Sequence, residues 1–400
     1  MNRASLLHII EKLETFVGKL PATIQKPITH ELTPLKELFL LQRPPRFVIT
    51  GANTLSLQEV VAALFAFVPP AESRDILMEL FRWHPIDLSG RGTIAVLDAR
   101  AADAVTRHGI QEELQHQSAD VFLHLADDAS LARDPKRDLA NLAALIGSNN
   151  TGESEAKVVG IVIHDEKQTA RRTDNGEIQS KSRVATRLKL QDALQEELEV
   201  RKKLLQIFEL QFTPGGEVGD EAKMDIQRFM SLLARQLPNE ARIEMVRIAN
   251  DREAQIEIAQ MLVKSTTAIC AAIGAQPIPL ADLPILTTLQ LAMVSGIMYI
   301  SGRERSLRAA TEFVGALGVN VGAGMILREG TRALLKFFPG WGNVVCGVVA
   351  GAGTYAIGRA AIVFFLEGVS LKEARKTYLA SRKKRAQSRL RRTERIEAPR

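Results

Sequence analysis

The stretch Phe47–Phe65, FVITGANTLSLQEVVAALF, constrains this chain more than any other. An apolar run at 47–50 breaks at a glycine, and a helical pattern starts at Leu57. Three further strand-like runs follow: TIAVLDA (93–99), ADVFLHLAD (119–127) and KVVGIVIHD (157–165). Helical patterns over 57–68, 72–82, 101–117 and 135–146 separate them. Strands joined by helical crossovers predict a parallel α/β sheet. Four continuous apolar strands predict that both its faces are covered.

Around this block lie segments of different character. Leu6, Ile9, Ile10, Leu13, Phe16, Val17 and Leu20 recur at helical spacing, and Pro21 stops the run. The lead has no apolar core or cleavage site of a secretory signal. A short helix is expected at 34–41. The polar stretches 147–156 and 166–182 read as loops. A long helix is predicted over 183–211, where Val184, Leu188, Leu194, Leu198, Leu205 and Phe208 fall on one side. TPGGEVGDEA (213–222) reads as a linker. Helices follow at 223–236 and 239–274, then the proline-rich QPIPLADLP (276–284) and apolar segments at 285–300, 313–327 and 343–366. The predicted domains are a helical lead (1–45), an α/β domain (46–182), a connecting helix and linker (183–222), an all-α domain (223–380) and a basic tail (381–400).

The turn after the first strand is where a phosphate loop, G-x-x-x-x-G-K-[S/T], would stand. From Gly51 the chain reads GANTLSLQ, so Ser56, Leu57 and Gln58 replace Gly-Lys-Ser/Thr. Leu57 offers no cation for a terminal phosphate, and Gln58 is a poor magnesium ligand. After the second strand, Asp98-Ala99-Arg100-Ala101 keeps the aspartate of D-x-x-G and loses its glycine. After the fourth, His164-Asp165-Glu166-Lys167 holds no N-K-x-D. Gly51, Ser56, Gln58 and Asp98 are the residues left to form a residual nucleotide and magnesium site. His124 near Asp127 and Asp128 reads as a structural histidine. The seven histidines include no HExxH, and no G-x-S-x-G is present, which argues against a metallohydrolase or serine hydrolase.

Over Arg46–Asp165 the order of strand, glycine turn, helix, strand and aspartate resembles a small G domain of the Ras-like and Era-like class. The resemblance implies a P-loop-NTPase-like α/β fold, here degenerate, with GTP and magnesium as its ligands. A second resemblance lies in AAIGAQPIPLADLPILTTLQLAMVSGIMYISG (271–302). With Phe313–Leu327, KFFPGWGN and GAGTYAIGRAAIVFFLEG, it is similar to the bacterial domain of unknown function 697, often found behind a GTPase domain. That resemblance implies a membrane-associated, GTPase-related protein.

Within the all-α domain, Asp282 and Gln290 are polar positions in an apolar stretch. Asp282 is expected to cap the following helix, or else to share a polar site with Gln290 two turns on. Gly318-x-x-x-Gly322 and Gly347-x-x-x-Gly351 allow close helix approach. Segment 343–366 has the length of a membrane span, about 20 residues, with one charge, Arg359. The shorter 285–300 and 313–327 fit buried or shallow helices. Cys270 and Cys346 sit in apolar runs without a CxxC partner and read as buried small hydrophobes.

Charge is unevenly spread. Of a net +6, residues 372–400 carry +9 and the remainder −3. Arg382, Lys383, Lys384, Arg385, Arg391 and Arg392 follow the last apolar segment closely, as expected of an anionic membrane surface on the cytoplasmic side of the inner membrane. Nucleic acid is the rival partner, disfavoured because no aromatic follows Tyr378 for base stacking. A protein partner on the G-like domain is compatible with the pattern. A small-molecule substrate is not expected, and no cofactor is expected. Together these features predict a non-catalytic pseudo-GTPase, a membrane-associated scaffold or regulator. The alternatives are a divergent GTP-binding switch using GTP and magnesium, and an RNA- or ribosome-associated protein.

Overall fold

A computed structural model describes residues 41–65, 82–88, 90–100, 102–127, 130–131, 135–149, 155–165, 176–212, 220–275, 282–317 and 341–381, with scattered residues before 41. The expected helices at 5–20 (all but Thr15 and Gly18) and 72–82 (all but Arg82), Gly318 and Gly322, the turn at 336–341 (all but its last residue) and the six tail cations from Arg382 to Arg392 lie outside the described residues. The chain divides into two compact units: Arg43–Ala249, and Met1–Gln42 together with Asn250–Arg400.

The first unit holds a six-stranded mixed sheet. Its strands are β1 (Arg46–Gly51), β2 (His84–Asp87), β3 (Thr93–Asp98), β4 (Val121–Ala126), β5 (Lys157–Asp165) and β6 (Leu204–Phe212). They lie in the order β2-β3-β1-β4-β5-β6. Only β2 is antiparallel to its neighbour. The four strands expected from the sequence are present. The expected cover on both faces is present too. One core joins Val48, Leu97, Phe122 and Val158 to Ile110 and Leu114 of α2 (Ala104–His116), Leu142 of α3 (Pro135–Ser148) and Leu190 of α4 (Gly176–Glu196). On the other side an aromatic chain runs from Phe47 to Phe65 of α1 (Leu57–Phe65), then to Phe229 and Phe208, with centroids 5.4, 6.4 and 5.4 Å apart.

Three expectations about this region are corrected. The helix predicted over 183–211 ends at Glu196, and after the short α5 (Leu198–Arg201) the chain becomes β6, paired along β5. Val184, Leu188 and Leu198 are more than half exposed, whereas Leu194 of α4 and Phe208 of β6 are buried, so the apparent apolar stripe is not one continuous buried face. The polar run before it is not all loop, since α4 begins at Gly176. The sheet unit does not end at 182: α6 (Asp220–Gln236) and α7 (Asn239–Ala249) belong to it, and Phe229 of α6 sits in its core.

The expected helix 239–274 is two helices. Asn250 takes φ 49, and Asp251 caps α8 (Arg252–Gly274), accepting from the amides of Glu253 and Ala254 at 3.0 and 3.2 Å. The helical unit is built on α8, α9 (Asp282–Ile300), α10 (Leu307–Leu317), α11 (Trp341–Ala361) with a π-helical turn at Ile362–Leu366, and α12 (371–381). Gly347, Gly351 and Gly358 let α11 lie against α8. A Cβ on Gly347 would stand 2.7 Å from the Ala271 carbonyl oxygen, and one on Gly358 would stand 2.4 Å from Val263. The expected close approach of small residues therefore occurs at Gly347 and Gly351.

Candidate functional site

In an open α/β sheet, ligands bind beyond the carboxyl ends of strands where successive connections leave in opposite directions. Here β1 connects toward β3 while β4, its other neighbour, connects toward β5. The loop 52–56 and the segment from Asp127 border this position. Gly51, Ser56, Gln58 and Asp98 all come to this end of the sheet.

Several groups at this sheet end are already engaged with one another. Gly51 has φ +87, and a Cβ there would lie 2.1 Å from the Leu125 carbonyl oxygen. Its neighbour Ala52 donates its N–H to that same oxygen at 2.8 Å. The turn is thus pressed onto β4. Thr54 Oγ1 donates to Asp127 Oδ2 at 2.7 Å, across the point where the two strands part. The other Asp127 oxygen accepts from the Ser130 amide at 2.6 Å.

The start of α1 is filled by a capping box. The Ser56 N–H and hydroxyl both donate to Glu59 Oε2 at 2.8 Å, and the Glu59 amide donates to Ser56 Oγ at 3.3 Å. A carboxylate of this chain therefore stands at the helix N-terminus, where an anionic ligand would otherwise be favoured. Gln58, half-buried, follows within the first turn.

Asp98 is held by Arg100. The guanidinium donates through Nε to Oδ1 at 2.8 Å and through Nη2 to Oδ2 at 2.7 Å. Its third nitrogen, Nη1, donates to the Leu55 carbonyl at 2.7 Å. Arg100 is 6% exposed and Asp98 13%. This fork ties the end of β3 to the loop after β1 and takes up the carboxylate that a magnesium ion would need. The residues present do not fit a triphosphate with its metal: the lysine is missing, the helix start carries Glu59, and Asp98 is spent on Arg100.

Below the turn, His124 is buried and its Nδ1 lies 3.1 Å from Thr50 Oγ1. Burial pushes its pKa down to about 4, so the ring is neutral. The structural role expected for it is what the geometry gives. Asp165 closes β5 beside Phe212, with both side chains outside the described residues.

In the helical unit, Gln290 Nε2 donates to Thr354 Oγ1 at 2.8 Å, and Thr354 donates to the Ala350 carbonyl at 2.9 Å. Thr354 is fully buried. Gln290 therefore pairs with a threonine of α11. Asp282 is the first residue of α9, and its side chain lies outside the described residues. Arg359 is half-buried in the last turn of α11. Cys270 is buried, as expected.

Sequence reasoning missed three partners at the sheet end. Glu59 was legible, since Ser56-x-x-Glu59 before an apolar run is a capping box. The Arg100–Leu55 and Thr54–Asp127 bonds join strands distant in sequence and leave no local signal.

No family model matches the chain, so the likeness to domain of unknown function 697 gains no support there. A curated relative, Magnetosome membrane protein 22 of Magnetospirillum gryphiswaldense, is 30% identical over 118 residues, which are 28% of this chain. The match spans 59% of that protein's length. Among solved structures, a chain of an oligomerised bacterial dynamin pair, linked in its description to long-range sensing and tethering of membranes, aligns over 99% of this chain and 78% of its own. Its sequence identity is 10% and its TM-score 0.27, too slight a likeness to bear on fold or function.

Proposed function

We propose that this chain is a pseudo-GTPase: a non-catalytic, membrane-associated scaffold or regulator that uses its α/β unit as a binding surface and needs no nucleotide or metal. The observation that carries this is the Arg100 fork, with Asp98 on one side and the Leu55 carbonyl on the other. It consumes the carboxylate that the motif pattern left for a magnesium ion and braces the loop that would have to open around a phosphate. The Ser56–Glu59 box and the Thr54–Asp127 bond act in the same direction. The membrane part draws on the basic C-terminal stretch and on a relative whose name places it in a membrane. The cytoplasmic side of the inner membrane and a helical unit akin to domain of unknown function 697 complete the proposal.

The test is titration of the full chain with a fluorescent non-hydrolysable GTP analogue in magnesium. No saturable binding is expected at micromolar concentrations, and Arg100→Ala is expected not to create any. Saturable, magnesium-dependent binding by the unsubstituted chain would replace the proposal with a divergent switch.

A further inference from the structure

We infer that α12, rather than the tail alone, is the element that seats this protein on an anionic lipid bilayer, with Leu379 entering the headgroup layer among three cations. This rests on the membrane-associated function proposed above and assigns it a surface.

The chain leaves the π-helical turn at Gly368, φ +72, and restarts at a capping box. Ser370 Oγ and Glu373 Oε2 lie 3.3 Å apart, and the Glu373 amide donates to Ser370 Oγ at 3.3 Å. The helix is thereby fixed at its first turn, and the carboxylate of α12 is held back there. Ala374 and Tyr378, four apart, are 0% and 9% exposed and turn inward. The opposite side carries Leu379, 53% exposed. Its neighbours at i−3, i−4 and i−7 are Lys376, Arg375 and Lys372, the first and last exposed and Arg375 half-buried. Among the described residues none of these cations forms an ion pair.

On this face an exposed leucine follows, within two turns, three cations that form no ion pair with a described residue. The face matches a bilayer interface, where an apolar side chain enters below the headgroups while lysine and arginine reach lipid phosphates. In sequence, Arg382, Lys383, Lys384 and Arg385 extend the same charge directly beyond the helix. A charged rim alone would suit any polyanion. The leucine beside these cations favours lipid, because a nucleic acid backbone offers no apolar layer to receive it.

The experiment is flotation of the full chain with vesicles of phosphatidylcholine, with and without phosphatidylglycerol. The chain is expected to float with the anionic vesicles only. The double variant Lys372→Glu, Lys376→Glu is expected to lower partitioning about tenfold or more, and Leu379→Ser several-fold with its salt dependence unchanged. Lys189→Glu, exposed on the other unit, serves as the charge control and should behave as the unsubstituted chain. In L379W the indole emission should shift to the blue on anionic vesicles, a readout the tail cannot mimic. If the chain floats but these variants float equally well and the L379W emission stays put, the inference is overturned while the membrane function stands. If the unsubstituted chain does not float with either kind of vesicle, both fall. If Leu379→Ser binds vesicles unchanged and random-sequence RNA displaces them, the surface belongs to a nucleic acid.

Discussion

At the scale of single residues, the sheet end explains why some motif residues persist after their ligand chemistry is gone. Gly51 is required because its turn touches β4, whatever becomes of a phosphate. Gly51→Ala should abolish cooperative folding of the sheet unit. Gly90→Ala, at φ +75 with open space around it, should cost only about 1 kcal/mol; urea melts compare the two. Asp98 and Arg100 form a largely buried pair, so removing one partner strands a charge. Arg100→Ala should cost roughly 3–5 kcal/mol, whereas the double change Asp98→Leu, Arg100→Met should cost less than either single one. A double-mutant cycle over Asp98→Leu and Arg100→Met on the urea midpoint measures this, and additive single costs would show that the fork is not a coupled pair. His124 adds a pH dependence. Its folded pKa, about 4, lies below the ordinary 6.5, so the unfolded chain binds the proton more readily. Its contribution to stability is complete above pH 6.5 and declines as pH falls toward 4, by roughly 3 kcal/mol in all. His124→Gln should flatten that slope in melts taken between pH 7 and 4.

At the scale of elements, what was legible follows from how local its cause is. The four buried strands announce themselves because each is a short apolar run bounded by turns. The antiparallel β2, HPID, has two exposed side chains among four and no apolar run to mark it. Strand β6, LLQIFELQF, was hidden for a different reason: its apolar residues continue a helical spacing from α4, and pairing with β5 overrides that spacing. The break at Asn250 and Asp251 was present in the sequence as an Asn-Asp pair but lay inside an unbroken helical pattern. At the site, residue identities predicted the loss of phosphate chemistry. Which internal groups fill the space depends on contacts across the sheet, which no local pattern encodes. The glycines of α11 were legible as a close-packing face, and their partner α8 was not. Gly347→Ala would push a methyl to 2.7 Å from a backbone oxygen that cannot yield. It should destabilise the helical unit by about 1–3 kcal/mol, while Gly353→Ala, with open space, should be near neutral. Calorimetry of the two variants decides it.

At the scale of the whole molecule, two facts bear on how the chain meets a membrane. The basic charge is concentrated after residue 372, and the rest of the chain is net acidic. Two helical stretches, Arg252–Gly274 and Gly347–Leu366, have the length and apolarity of spans, yet 56% and 72% of their span-length windows are buried inside the protein. Their apolar surface is largely spent on each other, through the glycine face that holds α11 to α8. A helix used in this way has little left to offer lipid, whereas a cationic surface binds from outside and is screened by salt within a Debye length. The expected behaviour is therefore peripheral. Membranes carrying the full chain should release most of it at about 1 M salt, where the Debye length falls to about 3 Å, and all of it in carbonate. Retention through both washes, with release only by detergent, would mean that the α8–α11 pair opens and inserts. In that case Gly347→Ala, which loosens the pair, should increase the retained fraction.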